Sequence, residues 1–430
     1  MEKKALSEQE KEENRRVKAF QAKRVFTPAR PIIEERFFAG RTSQRDRLFD
    51  AVVQRGKHAI LFGERGVGKT SLAKIMSPVL EKAHKNILAL FITCSDSDDF
   101  SSIWMTVFYE IQQQAKIRHL NFNGGEEYLD FITNDPETKG GIVPDDVRIG
   151  LSIVAKELLV IVIIDEFDRV EDSQTKNLFA NTIKVLSDHD VDATLILTGV
   201  AKNVSELIEH HQSIQRCLTY IQMPRMRNEE LREFVEKALG ELEMSIDEDA
   251  LGTIVWFSRG FPHFTHALGQ AASINAIRRD STRISREDVM SSIVQAIGEL
   301  DPIIRSTYRT ATLSSQSKNI FDEVLLACAL ADFDEQGFFS PAEVKRHLTQ
   351  ILKREVTYAT FSGHLHDFCE EKRGRILEKE QIGTKKRYKF RFEDPLTQPY
   401  IILEACEKKL ITIPSSPSSS SRPSEQELPF

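Results

Sequence analysis

Short apolar runs separated by amphipathic stretches dominate the chain up to about residue 225. Apolar runs rich in β-branched residues are typical of strands buried on both faces of a parallel sheet. The stretches between them, with apolar residues at helical spacing, predict helices that cover the sheet. The predicted strands are His58–Phe62, Asn86–Thr93, Val160–Ile164, Ala193–Gly199 and Cys217–Gln222. Strands and helices in alternation predict an α/β fold with a parallel sheet.

The second half of the chain has a different pattern, in which helical periodicity replaces the strand signals. Over Asn228–Ile297 the sequence predicts helices, with a break at Gly260 and Pro262. After about residue 318 it predicts three more helices and then a hairpin around Ile382 and Gly383. This order of elements predicts a winged helix-turn-helix.

These changes of pattern divide the 430 residues into several parts, as expected for a chain too long for one hydrophobic core. The predicted parts are a charged N-terminal extension (1–30), an α/β core (31–225), a helical lid (226–300), a winged-helix domain (301–408) and a disordered Ser- and Pro-rich tail (409–430).

Composition narrows the class of protein. No apolar run approaches the roughly 20 residues of a membrane span, and the charged N-terminus lacks the apolar core of a secretion signal. The five cysteines form no C-x-x-C pair, which predicts reduced thiols in a cytoplasmic protein without a membrane partner. A formal net charge of −7 argues against a uniformly cationic surface but permits a local basic face.

The most specific motif is a phosphate-binding loop directly after the first predicted strand. Residues 63–70 match G-x-x-x-x-G-K-[ST], and a helical pattern follows them. In such loops, glycines let backbone N–H groups converge on an anion at the positive end of a helix dipole. We expect Lys69 to reach the β- and γ-phosphates of ATP and the Thr70 hydroxyl to ligate Mg²⁺. The predicted nucleotide contacts are Gly63, Glu64, Arg65, Gly66, Val67, Gly68, Lys69, Thr70 and Ser71.

A second diagnostic segment is the β-branched run that ends in Asp165 and Glu166. A central strand with this ending places two carboxylates at the edge of the sheet where phosphate loops also lie. Asp165 is expected to hold Mg²⁺, and Glu166 to orient the attacking water. Asp168 is either a third acid of the site or the amino-terminal cap of the next helix, and the cap is the favoured interpretation.

Two further residues allow two interpretations each. Thr198, at the end of the fourth predicted strand, is placed to touch the γ-phosphate or the attacking water, and a hydroxyl that caps the strand explains it equally well. Arg216 precedes the fifth strand and is either a charge-stabilising arginine finger or a surface salt-bridge partner.

The predicted hairpin has one basic face, because alternation places Arg387, Lys389 and Arg391 opposite the aromatic side chains of the same strand. Between Pro341 and Arg391 there are 13 Lys and Arg against 7 Asp and Glu. This basic face predicts contacts with DNA phosphates. A protein-binding module is the alternative, because a fold does not fix a function.

The order of the parts from about Phe37 to Tyr400 resembles the AAA+ ATPases of the origin-recognition and replication-initiator type. Phe38-Ala39-Gly40-Arg41 is similar to the adenine-side motif of that family, which implies a contact between Arg41 and the nucleotide. The predicted loop and the Asp165-Glu166 pair match its two Walker motifs. The fold implied is a P-loop NTPase with an AAA+ core, a helical lid and a C-terminal winged helix.

The resemblance also gives roles to residues in weaker motifs. Thr198 lies where the family's first sensor residue is expected, which is usually Asn. Arg216 lies near the arginine-finger position, which acts on the nucleotide of a neighbouring subunit and so implies a homo-oligomer. Gly260–His263 resembles the second-sensor region; it implies a nucleotide contact at Pro262 and offers His263 where many relatives have Arg.

Two functions of different classes follow. The favoured one is a slow ATPase that acts as a nucleotide-dependent switch and binds DNA through its winged helix. The alternative is a signalling ATPase, of the kind that acts in defence, whose winged helix binds a protein effector; the net acidic charge supports it. Binding of DNA that weakens steeply with salt would distinguish the first from the second.

Overall fold

The structure is a computed structural model that describes residues 8–28, 30–31, 40–83, 86–120, 122, 125, 127–129, 141–199, 212–299, 302–314, 319–334, 336–383 and 387–411. Its centre is a parallel sheet with the strand order β2-β3-β4-β1-β5. The strands are β1 His58–Phe62, β2 Ile87–Thr93, β3 Leu159–Asp165, β4 Ala193–Gly199 and β5 Leu218–Gln222. The predicted α/β class with a parallel sheet is therefore confirmed, and the strands lie where the apolar runs placed them.

Helices cover both faces of this sheet. They are α2 Thr42–Val53, α3 Lys69–Ala83, α4 Phe100–Arg118, α5 Pro144–Val154 and α6 Ser173–Asp188, whereas α1 Glu8–Val25 contacts the helical part of the chain after β5. Leu48 of α2 and Leu72 of α3 belong to a buried cluster on one face. Trp104 of α4 and Phe179 of α6 belong to the cluster on the other face, where their rings stack with centroids 5.9 Å apart. Because β3 is buried on both faces, its sequence is a continuous apolar run rather than an alternating one.

After β5 the described chain is helical as far as residue 330, apart from the two-residue strands β6 Ser245–Ile246 and β7 Arg283–Ile284. The helices are α7 Asn228–Gly240, α8 Glu248–Ser258, α9 Pro262–Arg278, α10 Arg286–Glu299, α11 Pro302–Thr312 and α12 Phe321–Leu330. They are followed by α13 Pro341–Leu352, α14 Tyr358–Asp367, the antiparallel hairpin of β8 Leu377–Ile382 and β9 Arg387–Phe392, and α15 Thr397–Glu407.

We call residues 319–411 the C-terminal unit. Three helices and then a hairpin is the order of elements predicted there. The predicted boundary between lid and winged helix falls between α10 and α11, but a single buried cluster crosses it and includes both Leu231 of α7 and Tyr400 of α15. Lid and C-terminal unit therefore share one core in this structure.

The charged N-terminal helix is attached to the lid. Phe26, directly after α1, is fully buried, and its ring meets Phe234 edge-on with centroids 5.9 Å apart. Farther out on α1, the guanidinium of Arg15 donates to both carboxylate oxygens of Asp280, at 2.7 and 2.5 Å. Within the described ranges, none of the helices combines the length and apolarity that crossing a bilayer requires.

Candidate nucleotide site

The loop between β1 and α3 is built around glycine. Gly66 and Gly68 have φ angles of 81° and 98°, which side-chain-bearing residues rarely adopt. Gly63 needs the absence of a side chain for a different reason, since a Cβ there would lie 2.3 Å from the carbonyl oxygen of Met223. Val67 is fully buried and anchors the loop to the core. The backbone is thereby fixed as a tight turn at the carboxyl edge of the sheet.

Lys69 opens α3, and its ammonium group folds back over the loop. Nζ donates to the carbonyl oxygens of Gly63 and Glu64, both at 2.9 Å. Burial lowers the pKa of Lys69, while the nearby carboxylates of Asp168 and Asp165 act in the opposite direction. The amine thus lies inside the loop, on carbonyl oxygens that it can exchange for an anion.

Asp165, the last residue of β3, is held between two hydroxyl groups. Thr70 donates from Oγ1 to Asp165 Oδ2 at 2.8 Å, and Thr198, in the neighbouring strand β4, donates from Oγ1 to Oδ1. The same Thr198 oxygen accepts the Glu166 N–H at 3.3 Å. With its proton directed at Asp165, the Thr198 hydroxyl orients this carboxylate.

Glu166 leaves the sheet in an unusual backbone conformation, with a φ of 54°. A non-glycine residue held there costs about 1–3 kcal/mol, and such residues cluster at functional sites. Its carboxylate pairs with Arg169 at 2.9 Å, and both side chains are about half exposed. The acid is therefore accessible from solvent and tied to a neighbouring cation.

The favoured interpretation of Asp168 as a helix cap is wrong. The N-cap of α6 is Asp172, whose carboxylate accepts the N–H groups of Gln174 and Thr175. Asp168 instead lies beside Gly199 at the end of β4, where a Cβ on that glycine would be 3.1 Å from Asp168 Oδ1. A capping residue four positions farther along was available, and the sequence pattern could not choose between the two.

These residues surround a cavity of about 390 Å³. Of the predicted site residues, the cavity brings together Arg65, Gly66, Gly68, Lys69, Thr70, Ser71, Asp165, Glu166, Thr198 and Pro262. It is also lined by Thr27, Pro28, Arg30, Pro31, Asp168, Arg169, His263 and His266. The segment 27–31 carries no motif, so no signal in the sequence pointed to it. His266 could have been predicted to line the cavity, because it lies four residues after Pro262 and so on the same face of that helix.

The two histidines join the lid to the N-terminal segment. His263 Nδ1 lies 2.9 Å from the carbonyl oxygen of Pro28, and His266 Nδ1 accepts the N–H of Thr27 at 3.0 Å. Burial, followed by the proximity of His263, lowers the pKa of His266 to about 3, so its ring is neutral at pH 7. His263 therefore presents an imidazole, not a guanidinium, at the cavity.

Five predicted residues do not line this cavity: Gly63, Glu64 and Val67 of the loop itself, and Arg41 and Arg216. The guanidinium of Arg41 is buried and donates to the carbonyl oxygen of Pro224 at 2.7 Å, so in the structure it packs the start of α2 against the end of β5. Arg216 precedes Leu218, the residue that pairs with His58 at the amino edge of the sheet, opposite the loop. Its side chain is 71% exposed and pairs with Asp188 at 2.5 Å. Arg216 cannot reach the phosphate loop of its own chain.

The sequence predicts that three cations of the hairpin are free to bind DNA phosphates, but in the structure two of them form ion pairs. Arg387 is exposed, but Lys389 pairs with Glu380 at 3.3 Å and Arg391 pairs with Glu378. Both cations also lie over the ring of Phe338, at 4.1 and 4.6 Å from its centroid. Their side chains are only 21% and 19% exposed, because the facing strand β8 carries the acids that neutralise them.

The chemistry of the cavity fits a nucleoside triphosphate with Mg²⁺. It offers a buried amine and loop backbone for phosphates, and a Thr–Asp pair for a hard cation. Mg²⁺ is commonly held by one or two protein oxygens together with phosphates and water. The described residues contain no cluster of three or more His, Cys, Asp or Glu side chains suited to a metal.

The chain is similar to a known domain family and to solved structures of other proteins. Residues 53–208 match the AAA domain family, and no curated protein matches the sequence. The fold is similar to that of the Walker-type ATPase PABY2304 of Pyrococcus abyssi, with a TM-score of 0.52 and 16% identity over 88% of this chain and 99% of that one. At this identity the likeness shows a shared fold.

Two proteins of Aeropyrum pernix are also similar. The Orc1 protein, whose structure is in complex with DNA, has a TM-score of 0.45 and 16% identity over 90% of this chain and 97% of that one. The Orc2 protein, in ADPNP–ADP complexes, has a TM-score of 0.47 and 14% identity over 90% and 98%. The match of residues 53–208 to the AAA domain family, with the fold shared with PABY2304, confirms the predicted AAA-type core.

Proposed function

We propose that this chain, which carries an AAA domain at residues 53–208, is an ATP-hydrolysing switch that binds DNA through a C-terminal winged helix. The observation that carries the proposal is the convergence of Lys69, Thr70, Asp165 and Glu166 on one cavity at the carboxyl edge of the sheet. The two pairs, 69–70 and 165–166, are more than 90 residues apart in the sequence, and the parallel sheet brings them to the same edge.

Each residue has a distinct task. Lys69 exchanges its bonds to the Gly63 and Glu64 carbonyls for bonds to β- and γ-phosphate oxygens. Thr70 and Asp165 supply the two protein oxygens for Mg²⁺, and Thr198 keeps the Asp165 carboxylate in position. When bound, Mg²⁺ neutralises charge that develops on the phosphates.

Glu166 orients the attacking water and accepts its proton. Its position directly after Asp165 places it beside the metal ligand, and its exposed carboxylate is open to water. The ion pair with Arg169 is about half exposed and contributes little free energy, so it leaves the carboxylate able to act as a base.

The experiment compares Glu166→Gln with the wild type in calorimetry and in a phosphate-release assay. The variant should bind MgATP with unchanged affinity and hydrolyse it roughly 10²–10⁴-fold more slowly, the usual contribution of a general base. Glu171→Gln, an exposed acid outside the cavity, is the matched control and should turn over normally. Wild-type turnover by Glu166→Gln would instead assign the base to Asp168.

Assembly is part of the proposal, since Arg216 can act only on the nucleotide of a second copy. Arg216→Ala should bind ATP and lose hydrolysis, and mixing it with Glu166→Gln should restore activity, because one variant supplies the water site and the other the arginine. Failure of the mixture to recover, under conditions where the wild type is oligomeric, would leave Arg216 a partner of Asp188 alone.

DNA binding is supported by the surplus of basic residues between Pro341 and Arg391, where 13 Lys and Arg stand against 7 Asp and Glu. Lys353 and Arg354, in the turn before α14, are exposed, as is Arg387. A positive surface of this kind on an acidic chain attracts a polyanion. Gel-shift or anisotropy titrations over a range of salt test this, because removing one cation that neutralises a phosphate reduces the log–log salt slope by about 0.9.

A protein partner is the second candidate, and one observation favours it. The helix α14, which would enter the DNA groove in a helix-turn-helix, contains no Lys or Arg, and its Tyr358 is 49% exposed. A helix with an exposed aromatic side chain and without Lys or Arg is better suited to a protein surface than to phosphates. If the wild type shows no salt-dependent DNA binding, pulldowns with and without ATP become the decisive experiment.

A further inference from the structure

The outer side of the phosphate loop is in direct contact with the C-terminal unit. Glu64 of the loop accepts two hydrogen bonds from Arg225, from Nε at 2.5 Å and from Nη2 at 2.8 Å. The remaining nitrogen, Nη1, donates to Gln398 Oε1 at 2.5 Å. Gln398 in turn donates to the carbonyl oxygen of Ala329 at 2.7 Å. One arginine thus connects the loop, the β5–α7 linker and two helices of the C-terminal unit.

This arginine is enclosed by its neighbours. The side chains of Arg225 and Glu64 are only 6% and 8% exposed. The guanidinium lies between two aromatic rings, 4.4 Å from the centroid of Phe261 in the lid and 3.7 Å from that of Phe333 in the C-terminal unit. A buried, bidentate pair of this kind is strong while intact and costly once one partner moves away.

The interface around the pair is tightly packed. A Cβ on Gly337 of the C-terminal unit would lie 2.0 Å from Glu64 Oε1, and a Cβ on Gly66 would lie 2.9 Å from the side chain of Leu396. A displacement of the loop by a few tenths of an ångström must therefore be matched by the C-terminal unit. Close-packed interfaces respond to such shifts by moving between discrete arrangements rather than by deforming gradually.

The interface also contains a poorly satisfied charge. Arg259, buried between lid and C-terminal unit, reaches the carbonyl oxygens of Leu330 and Ala331 only at 3.4 Å, and its Nε has no hydrogen-bond partner among the described residues. Burial, with the proximity of Arg225, lowers its pKa to about 10. If the C-terminal unit separated from the lid and the loop, Arg259 would gain hydrogen bonds to water. This gain would offset part of the free energy needed to separate them.

We propose that Arg225 is a latch that ties the phosphate loop to the C-terminal unit, and that binding of a nucleoside triphosphate opens it. In the structure Lys69 donates to the Glu64 carbonyl, the backbone group of the residue that Arg225 holds by its side chain. Bound phosphates draw Lys69 away from that carbonyl, and the loop then shifts. Because the contact between the loop and the C-terminal unit is too tightly packed to deform, the C-terminal unit must move away. This inference rests on the proposed function, ATP binding at the loop.

By linkage, whatever opens the latch also strengthens triphosphate binding. Gly337→Ala places a methyl group against Glu64 and should undock the C-terminal unit. Gly383→Ala is the matched control, because Gly383 has a similar positive φ (65° against 80°) but no described atom within 4 Å of its Cβ position. Gln398→Ala is a milder second variant that removes one tie to Arg225 and adds no bulk.

The readouts are hydrogen exchange of residues 336–339 and 394–398, and the affinity for MgATP by calorimetry, with thermal unfolding as a check of folding. MgATP should raise exchange in both segments of the wild type. Gly337→Ala and Gln398→Ala should raise it without nucleotide and tighten MgATP binding, about 5-fold or more for Gly337→Ala, the lower end of usual coupling. Gly383→Ala should behave as the wild type.

The outcomes separate the two proposals. A wild type that takes up no MgATP overturns the proposed function and with it the opening of the latch by nucleotide. A wild type that binds MgATP while exchange at 336–339 and 394–398 stays unchanged or falls overturns the latch alone. Equal MgATP affinities in Gly337→Ala, Gln398→Ala and Gly383→Ala would do the same.

Discussion

The carboxyl edge of the sheet and the hairpin β8–β9 are both dense in charge, but they use it in opposite ways. At the sheet edge, Lys69 rests on carbonyl oxygens and Asp165 on hydroxyls, which are neutral groups that a charged ligand can replace. In the hairpin, Lys389 and Arg391 already pair with carboxylates and cover an aromatic ring. The two charges assigned to phosphate and metal binding, those of Lys69 and Asp165, are thus hydrogen-bonded to neutral groups, whereas the hairpin cations are bonded to opposite charges.

The largest effect should come from the sheet edge. Lys69→Ala removes the buried cation of the loop and should weaken MgATP binding by about 3 kcal/mol or more, more than roughly 100-fold in Kd. Lys74→Ala, in the same helix but over the ring of Phe91 outside the cavity, is the control. Calorimetry measures both, and equal affinities of the two variants would remove the distinction between the two charged regions.

The hairpin should show a smaller and different effect. Replacing Lys389 and Arg391 by Ala should lower the melting temperature, because the two ion pairs and their packing on Phe338 disappear. DNA affinity should change less than about twofold, since neither cation is free to meet phosphate. Replacing the exposed Lys353 and Arg354 should do the reverse, with the salt slope reduced by up to about 1.8 if each cation neutralises one phosphate.

One result would overturn this view of the hairpin. If Lys389→Ala with Arg391→Ala abolishes DNA binding while melting is unchanged, the two cations must leave their partners in the complex. The observed pairing would then be a resting arrangement, and the charge of the hairpin would act like that of the sheet edge.

The last effect, which is negligible at pH 7 and develops only in acid, concerns the opposite, amino edge of the sheet. His58 is fully buried there, accepts the Leu195 N–H at 3.0 Å through Nδ1, and has its pKa lowered to about 3 by burial. Since the unfolded chain takes up a proton near pH 6.5 and the folded one does not, stability is fully present above that pH. It falls as the pH decreases toward 3, by at most about 1.4 kcal/mol per pH unit.

Denaturant titrations between pH 7 and pH 4 measure this dependence. His58→Gln keeps an acceptor for Leu195 but cannot take up a proton, so its free energy of unfolding should depend less on pH, by about one proton. Identical pH slopes for variant and wild type would mean that His58 becomes protonated within the folded sheet.

Much of the nucleotide site could be predicted from sequence because its signals are local. The glycine pattern of residues 63–70 and the apolar run ending in Asp165 each combine a strand, its end and a polar residue within one segment. The fold of parallel strands then dictates that both segments end at the same edge. The elements of the C-terminal unit were predictable for the same reason, from helical periodicity and the turn at Gly383.

What the sequence could not show are contacts between distant segments. Arg225 and Glu64 are separated by 161 residues, and nothing near either one marks the other as a partner. The pairing of Arg391 with Glu378 depends on the register of the hairpin, which alternation alone does not set. The choice between Asp168 and Asp172 as helix cap likewise required the position at which α6 begins.

Hydrogen exchange of the wild type with and without MgATP is the decisive experiment, because it observes both charged regions at once. We predict that MgATP slows exchange at residues 63–71 and 165–168 and does not slow it at 387–392. Slower exchange confined to the hairpin, or no protection anywhere in the loop at saturating MgATP, would contradict the assignment of the carboxyl edge as the nucleotide site.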